Sequence, residues 1–451
     1  MRRRRFVLGA LSMGYGKAVA AFGQLLLVPV LANAWGVALY GQWLMLATIP
    51  VFLAASDLGF GVAAGNRLIG QVARQEFDLA QRTFDSALLM IVSSSAMIAA
   101  AAISLSLLLP ERGLEAAHGM SGGDARKVLQ ILICYGAVAL QGGLFMAVMR
   151  SEGAFARSTA LEATVQLAEA VAVAVVAHWG HGPLPAAYAL LTVRGAGLVC
   201  HVLLAHWHAS WLRLWPEGIS RSVMQSLLRP ALAAMLLPLA MAGLLQGTAL
   251  AIGAAIGAGA VPVFVSLRTL SRLGLQIVMT VNLPVLPEFT AEYARGNREW
   301  IIRIAGGLAS FNALAGFLGA IVLVAMGNRL LGLWTQGAIQ APVPMLWIAG
   351  AAIVASMIWS PLSNLLVAAN SHEQFTIVLA ASVILAVPTT YLVSKFAGLT
   401  GAAAVTLGFE LVLLGYALQQ SRNKFGPFTI GPGSILALLR GWHGKGGATR
   451  C

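Results

Sequence analysis

The chain has 451 residues, 59% of them hydrophobic and 10% charged, with a mean hydropathy of +0.81 and a formal net charge of +13. A soluble domain carries about a quarter charged residues, so a soluble enzyme or carrier is excluded, and apolar runs of roughly 20 residues exclude the short alternating strands of a β-barrel. The positive charge points to cytoplasmic loops and not to nucleic acid, because no polar block is long enough to form a nucleic-acid-binding domain.

Twelve helical spans are predicted, at 8–32, 38–64, 84–109, 128–149, 159–179, 185–206, 230–256, 259–285, 302–326, 343–369, 375–395 and 400–420. The opening MRRRRFVLGAL has the outline of an export signal, but its arginines are better read as a cytoplasmic anchor for the first span. Lys17 lies inside that span, since residues 18–32 make only about 22 Å of helix. It either snorkels to the cytoplasmic surface or faces a cavity. The second span carries Asp57 within DLGFG, whose glycines suit close packing or a hinge, and Asp57 is a candidate partner for Lys17.

The longest outside loop, about 110–127, is Gly-rich and holds no catalytic arrangement of its acids Glu111, Glu115 and Asp124. That argues against a membrane-embedded glycosyltransferase or polymerase. Spans five and six carry Glu169 and Arg194 at matching depth, which predicts a buried ion pair, with a coupling or counter-ion role as the alternative. Between spans six and seven, Trp207, Trp211 and Trp215 recur at i, i+4, i+8. This spacing predicts an interfacial helix joining two lobes. The nearby His201, His206 and His208 have no acidic or thiol companions, so no metal site is expected.

The eighth span contains Arg268 and Arg272 in SLRTLSRLG. An i, i+4 spacing stacks both guanidiniums on one helix face, where they need an anion or carboxylates, and guanidinium forks match phosphate oxygens. Glu410 in the twelfth span lies near the same depth, as a counter-ion or a proton-coupling carboxylate. Cations exceed carboxylates in these spans, so the expected passenger is an anion. The remaining basic residues concentrate in segments that put both termini in the cytoplasm. The segments placed outside hold only Arg112, Arg126, Lys127, Arg329 and Lys395. Cys134, Cys200 and Cys451 form no disulfide or metal pattern, and no phosphate-binding loop or nucleophile–base set is present. The chain is therefore expected to be no enzyme, with no catalytic residues and no metal, and to work by exchange between inward-open and outward-open states.

The stretch LYGQWLMLATIPVFLAASDLGFGVAAGNRL (39–68) resembles the second-span region of polysaccharide-biosynthesis flippases, with Tyr40–Gly41 in the turn and Asp57-Leu58-Gly59-Phe60-Gly61 after it. GAGAVPVFVSLRTLSRL (257–273) and LPVLPEF (283–289) resemble the opening of their second lobe. The resemblance implies a Wzx-like member of the multidrug/oligosaccharidyl-lipid/polysaccharide (MOP) exporter superfamily. It implies an all-α fold of two six-helix lobes around a central cavity: an N-terminal lobe at 1–212, a connector at 213–229, a C-terminal lobe at 230–420 and a cytoplasmic tail at 421–451.

It further implies a monomer in the bacterial inner membrane that flips undecaprenyl-diphosphate-linked O-antigen or exopolysaccharide repeat units, without a cofactor apart from H⁺ or Na⁺ coupling. A polysaccharide polymerase and a chain-length regulator are the implied protein partners. Lys17, Arg268 and Arg272 would hold the diphosphate, and Gln24, Gln246, Asn282 and Asn312 are candidate sugar contacts. The absence of a cation in the second span before Arg67 departs from the pattern of the related lipid II flippases. The alternative within the superfamily is a multidrug or organic-cation antiporter.

Overall fold

The computed structural model describes residues 2–55, 59–111, 115, 119–215, 218–282, 285–369, 371 and 373–436. The described residues form an all-α polytopic membrane protein. In chain order the helices are α1 (Arg2–Leu46), α2 (Thr48–Ala55), α3 (Phe60–Ala73), α4 (Phe77–Leu108), α5 (Gly122–Ser151), α6 (Phe155–His178) and α7 (Pro183–His208). Then come α8 (Arg221–Ala242), a π-helical turn (Gly243–Gly247), α9 (Thr248–Ile256), α10 (Ala260–Asn282), α11 (Val285–Ala294), α12 (Arg298–Thr335), α13 (Val343–Ala368) and α14 (Glu373–Phe425).

Eight of these helices, and not the expected twelve, are long and apolar enough to cross a membrane among the described residues. Part of the difference is continuity. Helix α1 has 45 residues, about 68 Å of rise against a hydrocarbon core of about 30 Å. It is broken at Gly36 (φ 73°, ψ 163°), and α14 is broken in the same way at Gly398 (φ 57°, ψ −147°). Both sit in a backbone region open essentially to glycine alone, so each long helix is two rods joined end to end. Gly243–Ile256 is a further, shorter apolar helix among the described residues. The second expected span is also interrupted, with α2 ending at Ala55 and α3 capped by Gly59 in the left-handed conformation.

The chain divides into two compact units. The first comprises Met1–Gly253, Gly257–Pro262 and Trp334–Ala338, and the second comprises Ala254–Ile256, Val263–Leu333 and Ile339–Cys451. In the first unit α3, α4, α5, α7 and α8 share a core of Leu68, Phe84, Ile91, Leu144, Phe145, Met149, Leu212 and Leu227. Small residues let helices approach closely, the main route to packing where lipid removes the hydrophobic drive. On α1, Gly16 and Gly23 face Ala163 and Ala170 of α6, one contact every seven residues. In the second unit Phe289 stacks with Tyr293 and meets Phe425 edge-on, which ties α11 to the end of α14. Large apolar side chains such as Leu108 and Phe396 stay exposed, as lipid-facing positions do.

The 206–229 connector is not the expected interfacial helix. Helix α7 ends at His208, and residues 209–215 are turns and irregular backbone. Trp207 closes α7 exposed, and Trp211 instead donates to the Glu152 carboxylate at 2.6 Å. The connector gets its shape from α4. Gln81 Nε2 donates to the Arg213 carbonyl at 2.9 Å, and Gln81 Oε1 accepts from the Arg213 amide at 2.9 Å. Asp85 accepts from the Gly218 amide, and Ser86 accepts from the Ser220 amide. A tryptophan spacing of four is compatible with a helix, but these side-chain bonds to backbone claim the connector first.

Candidate functional site

In the first unit, Lys17 projects exposed from α1 and makes no ion pair among the described residues. The surrounding helix is held to α6 by the glycine contacts and by a 3.3 Å hydrogen bond between the Tyr15 and Thr164 hydroxyls. Gln24, two turns on, is also exposed. Asp57 lies outside the described residues, and its pairing with Lys17 with it. Gln246 is half-buried in the π-helical turn, a local widening often found at functional positions.

The same unit buries a charge network. Arg194 of α7 grips Glu169 of α6 with both ends of its guanidinium, Nε to Oε1 at 2.6 Å and Nη2 to Oε2 at 2.8 Å. Its Nη1 donates to Glu162 at 3.0 Å. Tyr135 of α5 donates its hydroxyl to Glu169 at 3.2 Å and lies beneath the guanidinium, 5.6 Å from ring centroid to Cζ. A two-pronged arginine–carboxylate contact fixes direction as well as distance. Glu169 and Arg194 thus meet as their depths predicted. Glu162 escaped the sequence reading, although its spacing of seven from Glu169 places both acids on one face of α6.

The three histidines near the end of α7 do not converge on a metal. The Nδ1 atoms of His201, His206 and His208 bond the carbonyls of Gly197, Leu212 and Leu204 respectively.

In the second unit, Arg268 and Arg272 occupy consecutive turns of α10. The Arg268 guanidinium lies over the Phe264 ring at 5.6 Å, and Arg272 is exposed. Glu410 of α14 accepts a 2.5 Å hydrogen bond from Trp359 of α13. Ser356 hydrogen-bonds the same carboxylate, and Arg272 acts on it electrostatically. The acid thus sits within the field of one arginine of the pair. Asn282 and Asn312 are both buried and bond each other, Nδ2 to Oδ1 at 2.9 Å one way and 3.1 Å the other. Asn312 also donates to the Leu308 carbonyl. These amides brace α10 against α12, which leaves little capacity for a sugar.

No protein-family model and no curated protein sequence matches the chain. Solved structures do match in fold. An inward-facing multidrug-resistance MATE transporter of the MOP superfamily aligns over 89% of this chain and 98% of its own length, with a TM-score of 0.67 and 16% identity. The chain has the fold of MOP-superfamily transporters. The lipid II flippase MurJ, in an inward closed conformation, aligns over 99% of this chain and 94% of its own, with a TM-score of 0.67 and 12% identity. A Pyrococcus furiosus MOP-superfamily transporter, described as having a binding pocket of reversed polarity that suggests a different function, aligns over 93% and 95% with a TM-score of 0.57 and 15% identity.

Proposed function

We propose that the chain is a multi-pass transporter, not an enzyme, which moves its passenger across the bacterial inner membrane by alternating access, with both termini in the cytoplasm. The likeness in fold to MOP-superfamily transporters over nearly the whole chain supports this reading. We retain twelve passes in two six-helix lobes as part of the proposal.

The passenger is proposed to be an anionic lipid-linked oligosaccharide carried on a polyprenyl diphosphate. The single observation behind it is the stacked Arg268–Arg272 pair on α10, with Glu410 the nearby acid already engaged by Trp359 and Ser356. Two guanidiniums on one face bind a phosphate group bidentately, and Lys17 adds an exposed charge on α1. The energy source is proposed to be H⁺ or Na⁺ exchange.

A second reading is export of drug-like or other organic compounds by ion-coupled antiport. Multidrug transporters recur among the matched structures, so likeness in fold favours this reading over the lipid-linked one. A cation-exporting site calls for carboxylates, whereas α10 offers arginines. One experiment separates the two. Polyprenyl-diphosphate-linked sugars are measured by mass spectrometry in a deletion strain, together with their accessibility to an added glycosidase. Accumulation of a complete oligosaccharide on the cytoplasmic side supports the lipid-linked passenger. Unchanged carrier pools with altered drug tolerance support the antiporter.

A further inference from the structure

The α5–α6–α7 network is unbalanced in charge. Arg194 carries one positive charge against two carboxylates, Glu162 and Glu169. The missing charge has an obvious seat. His201 of α7 is 1% exposed, and its Nε2 has no hydrogen-bond partner while lying 3.6 Å from Glu162 Oε2. Its Nδ1 bonds the Gly197 carbonyl at 2.8 Å. A carbonyl only accepts, so Nδ1 carries the hydrogen and a neutral ring presents its Nε2 lone pair to a carboxylate. Two acceptors facing each other in a buried place repel, and an unpaired buried acceptor is costly. One proton between Nε2 and Glu162 removes the repulsion and brings the network to zero net charge.

We propose that His201 and Glu162 form a proton-binding site inside the first unit, separate from the arginine pair on α10. Proton binding makes an N–H or O–H bond across the 3.6 Å gap and converts it to a hydrogen-bonded ion or neutral pair. Glu162 is the entry, with its side chain 23% exposed, and Glu169 at 8% is the interior end of the network. Glu162 of α6 faces His201, and through Glu162 the ring is linked to Arg194 of α7, Glu169 of α6 and Tyr135 of α5. Arg157 of α6 and His208, nearer the end of α7, are paired with each other at 2.7 Å. The site deepens the transporter reading by naming where a coupling proton rides. It rests on that reading only for the use of the proton.

The test needs no passenger. Full-length protein with ¹⁵N-labelled histidine is placed in lipid bilayers, and nitrogen spectra are recorded from about pH 5 to 8, the range in which imidazole ordinarily titrates. Of eight histidines, His201 is the one whose lines vanish in H201Q. Its Nε2 line should move from a bare acceptor to a proton-bearing or hydrogen-bonded nitrogen as pH falls. In E162Q the Nε2 line should change position, because the facing carboxylate is replaced by an amide. If H201Q does not fold, the line displaced by E162Q identifies the residue.

An Nε2 that remains a bare acceptor at every pH overturns the site. A line that responds to added Na⁺ but not to pH also overturns it, in favour of a metal cation. Either result leaves the lipid-linked passenger untouched, and failure of that passenger leaves the proton site standing.

Discussion

Arg194 shows how much one side chain decides in a low-dielectric interior. Its five donors are spread over Glu162 and Glu169, and its face rests on Tyr135. Removing one partner of such a pair leaves an uncompensated charge. Arg194→Gln, which strips the cation from both Glu162 and Glu169, should therefore destabilise the protein by about 3–5 kcal/mol, read as a lower unfolding temperature in detergent. The arginines on α10 have a different environment, because Arg272 is exposed. Replacing both Arg268 and Arg272 with alanine should leave insertion into the membrane at the normal level. Transport of a diphosphate-linked passenger should fall by at least about ten- to a hundred-fold, the loss expected for even one charged hydrogen bond. Undiminished transport by the double variant would end the diphosphate reading. The pairing of Glu169 with Arg194 could be read from depth alone. Lys17 remained open between two positions, because helical rise gives depth but not the direction a flexible side chain takes.

Elements are shaped here by backbone that glycine alone tolerates and by side chains that bond backbone. Tyr40 and Gly41 lie inside α1 and not in the expected turn, and a Cβ on Gly41 would strike the Ala258 carbonyl, so the Tyr-Gly pair reflects contact between two chain segments. Gly41→Ala should lower the yield of folded protein, while the same change at Gly70, which faces open space, should not. The connector obeys a similar logic. Gln81→Ala removes both hydrogen bonds to Arg213, and a protease added to the protein in detergent should then cut within 209–215 faster than in the wild type. No period in the sequence announces this clip, since Gln81 and Arg213 are 132 residues apart. The tryptophan spacing read as a helix failed for the same reason: a local pattern of three residues yielded to bonds from a distant helix.

At the scale of the whole molecule, hydropathy counted apolar runs but did not reveal which of them are continuous. The breaks of α1 and α14 at Gly36 and Gly398 fall between expected spans, whereas Gly59, in the left-handed conformation, starts α3 inside the second expected span. The same limit applies to function. Transporters with different passengers share this fold, so the fold leaves the passenger to individual charges. If the passenger is a lipid-linked oligosaccharide, a deletion strain should accumulate it on the cytoplasmic side and lose surface polysaccharide, and a chain with intact α10 should restore both.

The sequence by itself determined that this is an all-α membrane protein, because only helices or a closed barrel satisfy the backbone in lipid and apolar runs of about 20 residues fit helices. It also determined where most helices run, because about 20 apolar residues are needed to cross and charged loops separate them. The tertiary structure decided which charges neutralise one another. Glu162 joins Glu169 on Arg194, His201 is left with a bare nitrogen, and Asn282 and Asn312 satisfy each other. Such choices depend on which helix faces are brought together, and Coulomb and hydrogen-bond energies rise steeply only within the last few ångströms.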